Sequence, residues 1–233
     1  MKSVLPSEAW TGLADCRNCT VRTSVLFAGL TESDFGEIHR PIDQLTCSAG
    51  AEIYRAGDPA RTLFTIRSGL VKLIRELPDG SQRIVRLLRH CDVMGLEALL
   101  DHDYAHSAVA LQTTELCRIP VEAVERLSKR NATLYKELMS RWNRALGDAD
   151  RFISEFSTGT ARGRVARLLL WLAEFHDGNT CQLFSREDLG SILGLTTETA
   201  SRTMAEMKRQ GLISEPRSNR FVLDVQSLTR LAS

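Results

Sequence analysis

Between Phe184 and Ile213 the apolar residues recur at helical spacing, stop, and start again. Ser185 stands ahead of the first run with Asp188 three residues on, a capping signal that sets an acid where a helix dipole favours one. Leu189, Ile192 and Leu193 mark a buried face. Gly194 falls where the chain must turn sharply, a place suited to a residue free to take positive φ. Thr196 or Thr197 caps a second helix with an inner face of Ala200, Met204 and Met207, and Gly211 ends it. Thr197, Glu198, Thr199, Ser201 and Arg202 fall at its start and in its first two turns. Leu212-Ile213, a polar stretch from Ser214 to Arg220, and Phe221-Val222-Leu223 read as a hairpin with Arg217 and Arg220 at its tip. The pattern predicts a helix-turn-helix followed by a two-stranded wing.

Upstream the texture changes. From Cys47 to about Ile119, short alternating runs such as Leu63–Ile66 and Leu70–Ile74 are punctuated by Gly50, Gly57, Gly69, Gly80 and Gly95. Pro78-Asp79-Gly80 is a turn between two of them. Such runs predict a sandwich or jelly-roll. A short helix is expected over Glu32–Arg40, and a long one from Val121 to about Phe156. Along the latter, Leu138, Trp142, Ala145, Ala149, Phe152 and Phe156 follow a 4-3-4-3-4 spacing, which reads as a coiled-coil dimer seam. Ser157–Thr160 is the expected hinge, and Val165, Leu168, Leu169 and Leu172 open the last domain. The reading is α+β, with residues 1–29 as a cysteine-containing segment, 30–120 as a β-roll, 121–157 as the dimerisation helix and 158–233 as a winged helix-turn-helix.

Composition constrains this picture rather than changing it. The formal charge of the 233 residues is +1, so any affinity for a polyanion comes from local placement and pairing of copies. From Thr158 to the end, ten Lys and Arg face eight Asp and Glu. The first ten residues have no signal-peptide pattern, and no apolar run is long enough to span a membrane; the expectation is a cytoplasmic protein with no membrane partner. In that compartment the six cysteines are thiols, metal ligands or redox sensors rather than structural disulfides.

The exposed start of the second helix carries the chemistry of base reading in double-stranded DNA. Arg bonds O6 and N7 of guanine together, Glu accepts from the cytosine amino group, and Ser is a short adaptable partner. In a helix-turn-helix this part of the second helix meets base edges in the major groove. Glu198-Thr199-Ala200-Ser201-Arg202 resembles the E-x-x-S-R signature of the CRP/FNR superfamily of bacterial transcription regulators, and of its FNR-like branch. Arg55–Asp58 (R-A-G-D), Ile66–Gly69 (I-R-S-G) and Cys117–Pro120 (C-R-I-P) look like that branch too, so the resemblance runs roughly from Leu26 to Val225. It implies a β-roll sensor, a homodimer on an inverted-repeat operator with TTGAT-like half-sites, base contacts from Glu198, Ser201 and Arg202, and RNA polymerase as a partner.

What the sensor senses is less fully written. The family's nucleotide-binding members carry a Glu and an Arg where this chain has Leu96 and His106, with Glu97 displaced by one residue. A neutral His and a Leu do not replace that charge pairing, so cyclic AMP is not expected. FNR-like oxygen sensors hold a [4Fe–4S] cluster on three N-terminal cysteines and one internal cysteine. Cys16 and Cys19 match the first pair and Cys117 the internal ligand, but Val25 stands in the third N-terminal place. Four thiolates are usual for such a cluster. The alternatives are a missing ligand supplied by Cys47, a carboxylate such as Asp15 or a histidine; a Cys16–Cys19 disulfide switch; a zinc site; and cysteines with no sensory role. Haem, with NO or CO as signal, has four candidate histidines, His39, His90, His102 and His106, and no spacing that selects among them. A constitutive regulator set by its abundance is the further alternative. Motifs for catalysis are missing: there is no H-x-H pair with a nearby Glu, P-loop, G-x-S-x-G or H-E-x-x-H, so an enzyme is not expected.

Overall fold

The structure is a computed structural model that describes residues 10–13, 42–100, 102–129 and 131–232. The helix expected over Glu32–Arg40, together with Cys16, Cys19 and Val25, lies outside the described residues. The described chain divides into two compact units, one holding the residues up to Glu76 and Val85–Gly147, the other Leu77–Ile84 and the residues from Asp148 onward.

In the first unit, alternating runs become the strands β1 (Trp10–Leu13), β2 (Asp43–Cys47), β3 (Glu52–Tyr54), β4 (Thr62–Ser68), β5 (Val71–Glu76), β6 (Gln82–Leu88, whose first residues group with the second unit), β7 (Val93–Met94), β8 (Ser107–Ala110) and β9 (Thr114–Pro120). They form two sheets, ordered β1-β2-β9-β4-β7 and β3-β8-β5-β6. Inward residues of both, among them Leu45, Leu63, Ile66, Val71, Leu73, Ala108 and Leu116, make one core. The Pro78-Asp79-Gly80 turn is closed by Asp79, which accepts from the Ser81 backbone N–H and hydroxyl.

The long helix is interrupted. α1 covers Val121–Ser128 and α2 covers Ala132–Arg151, followed by a wider π turn over Phe152–Phe156. The break has a local cause: the Asn131 side chain accepts from the backbone N–H groups of Thr133 and Leu134 and so caps a new helix. Val121, Val124 and Leu127 of α1, with Leu134 and Leu138 of α2, close over the β-roll core.

The expected seam residues divide accordingly. Leu138 is buried in the core of the first unit, while Phe152 and Phe156 are buried in the second, where Phe156 meets Trp171 edge-on at 6.0 Å. Ala145 and Ala149 are half-buried, and only Trp142 stands among the exposed large apolar residues. The exposed stripe of α2 runs instead through Tyr135, Met139, Trp142 and Leu146. Apolar periodicity marks both stripes alike and does not say which one the chain covers itself.

The second unit contains α3 (Ala161–Ala173), β10 (Thr180–Gln182), α4 (Arg186–Leu193), α5 (Thr197–Arg209), β11 (Ile213–Arg217), β12 (Arg220–Leu223) and α6 (Val225–Ala232). Thr160 caps α3 by accepting from the Gly163 N–H. Val165, Leu168, Leu169 and Leu172 are buried together with Leu189, Ile192, Met204, Met207, Phe221 and Leu228. β10, which the sequence pattern did not mark, pairs with β12 and makes the wing a three-stranded sheet, β10-β12-β11. No described helix is long and apolar enough to cross a membrane.

Candidate nucleic-acid interface

Local chemistry fixes the geometry of α4 and α5. The Ser185 hydroxyl accepts from the Asp188 N–H at 3.0 Å, and the Asp188 carboxylate accepts from the same hydroxyl at 2.8 Å. α4 stops at Gly194, whose φ of 61° is left-handed. Gly190 is required for a second reason: a Cβ there would lie 2.6 Å from the Leu195 carbonyl oxygen, so the turn closes against bare backbone. Thr196, not Thr197, is the N-cap of α5, accepting from the Thr199 N–H at 3.1 Å. α4 and α5 are thereby held as a tight pair.

Ala200, Met204 and Met207 face inward and are essentially inaccessible, with Thr203 beside them. Thr197, Glu198, Ser201 and Arg202 are all exposed at the start of α5. Thr199 differs: it is half-buried, its hydroxyl accepts from Thr196 and its carbonyl accepts from Thr203. Its role in the structure is to close the cap. Arg217 and Arg220 are exposed and directly paired across the wing, on either side of Ser218-Asn219. Asn219 has a left-handed φ of 57°, which Asn tolerates better than most residues.

Sequence reasoning missed two groups here. Glu215, on β11, meets Lys208 of α5 at 2.6 Å and accepts from the Asn219 backbone N–H at 2.9 Å. Arg164 of α3 donates to the Leu193 carbonyl at 2.6 Å, satisfying the last turn of α4. No local motif announces either: one joins a helix end and a turn to the strand between them, the other joins α3 to the end of α4.

The cysteines separate by sheet face. In the β2–β9 register, Cys47 lies opposite Thr114 and Gln44 opposite Cys117. Cys47 and Leu45 point into the core with Thr114 and Leu116, whereas Cys117 sits on the other face of the pleat, half-buried. Burial pushes the Cys47 thiol above its ordinary pKa, which disfavours the thiolate a metal needs. The register thus sets Cys47 and Cys117 at alternate positions of the strand pair, with Cys117 packed against the edge of the same core. Cys181 is buried in the wing sheet, and burial pushes its pKa up to about 12. Cys91 holds a left-handed φ of 71°, and its carbonyl accepts from Arg141. Among the described residues, no three His, Cys, Asp or Glu side chains gather as a metal site.

Inside the β-roll, Leu96 is buried in the core. Glu97 lies 3.8 Å from the His106 Nδ1. Burial raises the Glu97 pKa, but the interaction with His106 and backbone amides outweighs it and holds the carboxylate below its ordinary value. The Ser107 hydroxyl accepts from the Ala56 N–H, and Tyr54 stacks on Tyr104 with centroids 3.9 Å apart. Glu97 and Ser107 thus already have partners within the chain.

Two family descriptions match this architecture: residues 44–131 match the cyclic nucleotide-binding domain, and residues 163–231 the Crp-like helix-turn-helix domain. The chain is 31% identical over 226 residues to the transcriptional activator protein anr of Pseudomonas aeruginosa, covering 94% of this chain and 93% of that one. It is 26% identical to the fumarate and nitrate reduction regulatory protein of Vibrio cholerae, over 93% of this chain and 90% of the relative. The structure of FixK2 from Bradyrhizobium japonicum superposes with a TM-score of 0.75 at 26% identity, over 82% of this chain and 98% of that one. With its β-roll, its winged helix-turn-helix and these relatives, the chain belongs to the CRP/FNR superfamily of transcription regulators, in the FNR-like branch.

Proposed function

We propose that the chain works as a homodimer that reads a TTGAT-like inverted repeat in double-stranded DNA and links that reading to oxygen, nitric oxide or redox state. The observation that carries the DNA reading is the exposed, capped start of α5, where Glu198, Ser201 and Arg202 project from a helix whose other face is fully packed. Arg217 and Arg220 at the wing tip are suited to phosphate. RNA polymerase is the partner through which a bound regulator would act. In this reading residues 30–120 sense, 121–157 pair the copies and 158–233 bind DNA. The test is selection of bound duplexes from a randomised pool. Enrichment of paired TTGAT-like half-sites about one helical turn apart is expected; a pool with no enriched sequence overturns the reading.

A second copy is the occupant proposed for the stripe of Tyr135, Met139, Trp142 and Leu146, whose 4-3-4 spacing is that of a two-helix seam. Four large apolar side chains at such spacing are a surface that water alone is not expected to cover.

The redox part rests on topology. Leu13, at the end of β1, lies opposite Asp43, and Asp43 lies opposite Arg118, next to Cys117. Cys16 follows Leu13 by three residues, a reach of about 10 Å at most. A cluster would therefore take Cys16, Cys19 and Cys117 and one further ligand. Such a group would supply an iron–sulfur centre that oxygen or nitric oxide can attack, and Cys117 on β9 is the described residue that would help to hold it. The relatives' names, which include an anaerobic regulatory protein of Pasteurella multocida, favour this signal. A signal other than a cyclic nucleotide is supported by the buried Leu96 and by Glu97 facing His106.

A further inference from the structure

A carboxylate links the wing to the recognition helix. Glu215 stands on β11, yet both its oxygens are engaged elsewhere: Oε2 is 2.6 Å from Nζ of Lys208 in the last turn of α5, and Oε1 accepts at 2.9 Å from the backbone N–H of Asn219 at the wing turn. Asn219 is the left-handed residue on which that turn depends. Phe221, almost wholly buried, anchors the returning strand, with the Arg186 guanidinium 5.6 Å from its ring centre. The carboxylate thus bridges the end of the base-reading helix to the loop that carries Arg217 and Arg220.

We infer that Glu215 is a positioning residue for sequence-specific DNA binding, holding the wing in a fixed relation to α5 so that phosphate contacts and base contacts fall in one register. The inference rests on the DNA-reading proposal and deepens it. Its interest is that electrostatics alone argues the other way. A negative charge beside two arginines that face phosphate weakens attraction to DNA, and removing it should tighten binding to any duplex. Positioning predicts a loss confined to the right duplex. Phosphate contacts made in the wrong register still attract, but they no longer present α5 squarely to the bases. Lys208 and Asn219 are the two points through which Glu215 acts, so the loss should appear equally when Lys208 is the partner removed.

The test uses the full chain with the duplex enriched from the randomised pool and a scrambled duplex of equal length, comparing Kd values at one salt concentration. Glu215→Gln is expected to weaken binding to the selected duplex about tenfold while leaving the scrambled duplex unchanged or slightly tighter. Lys208→Met should lower the ratio of the two affinities similarly, and adding Glu215→Gln to it should lower that ratio no further. Tighter binding of Glu215→Gln to both duplexes would overturn the inference and leave Glu215 a mere charge. Ratio losses that add in the double variant would also overturn it. If the natural sequence itself shows no preference for any duplex, the DNA-reading proposal fails first and takes this one with it.

Discussion

Single residues carry more of this fold than their exposure suggests. Cys91 sits at a left-handed φ of 71°, a conformation costing a non-glycine residue about 1–2 kcal/mol, partly offset by the greater chain entropy glycine loses on folding. Cys91→Gly should therefore stabilise the chain by about 0.5–1 kcal/mol, read as a rise in the denaturant midpoint. An unchanged or lower midpoint would show that the side chain contributes more than the strain removes. Thiol chemistry gives a second check. With the Cys181 pKa near 12, only about one thiol in ten thousand is ionised at pH 8. Iodoacetamide should spare Cys47 and Cys181 in the folded protein and label both in denaturant. The sign for stability follows: both folded pKa values are raised, so the contribution of these neutral thiols is full below the unfolded thiol value. It is lost as pH rises toward the folded one. Arg202→Ala should cost about 1–3 kcal/mol and relax selectivity at one base pair; equal weakening on every sequence would make Arg202 a phosphate contact instead. These residues differ in how legible they were. Ser185, Gly194 and Gly211 announce themselves because capping and positive φ are local. Glu215 does not, because its meaning depends on Lys208 and Asn219 being brought to it by a helix end and a turn.

At the scale of elements, period was readable and register was not. The helix-turn-helix and the wing were visible because each has a polar face that water covers and an apolar face the chain covers. The helix after the β-roll has two interleaved apolar stripes, one folded against its own chain through Leu138 and Phe152 and one left outside through Met139 and Leu146. A count of spacings scores both equally. The two stripes nonetheless differ in what a charge does to them. Leu146→Glu, on the exposed stripe, should convert dimers to monomers in sedimentation with little change in the unfolding of the monomer. Phe152→Glu buries a carboxylate against Phe156 and should lower stability by several kcal/mol whatever the oligomeric state. If Leu146→Glu still sediments as a dimer, the exposed stripe is not the seam. The break at Asn131 was likewise hidden, since one capping side chain within a periodic stretch is enough to restart a helix. The place of Cys47 became legible only once strand register set it and Cys117 at alternate positions of the strand pair.

For the whole molecule, the proposed response to oxygen or redox state can be measured directly. Protein purified without oxygen should contain iron and sulfide in matching amounts, and exposure to air should release them and weaken binding to the selected duplex. A colourless, metal-free protein whose binding changes with reductant would instead assign the signal to a Cys16–Cys19 disulfide. Equal binding under all these conditions would make the chain a regulator governed by its own abundance.

The absence of a side chain at Gly190 has a kinetic consequence. Because the turn after α4 closes on bare backbone, with caps already formed at Ser185 and Thr196, the reading head meets DNA with its helices built. Little conformational entropy is left to lose on contact. Association should then be governed by diffusion and charge steering rather than by folding, and differences between good and poor operators should appear mainly in how long each complex lasts.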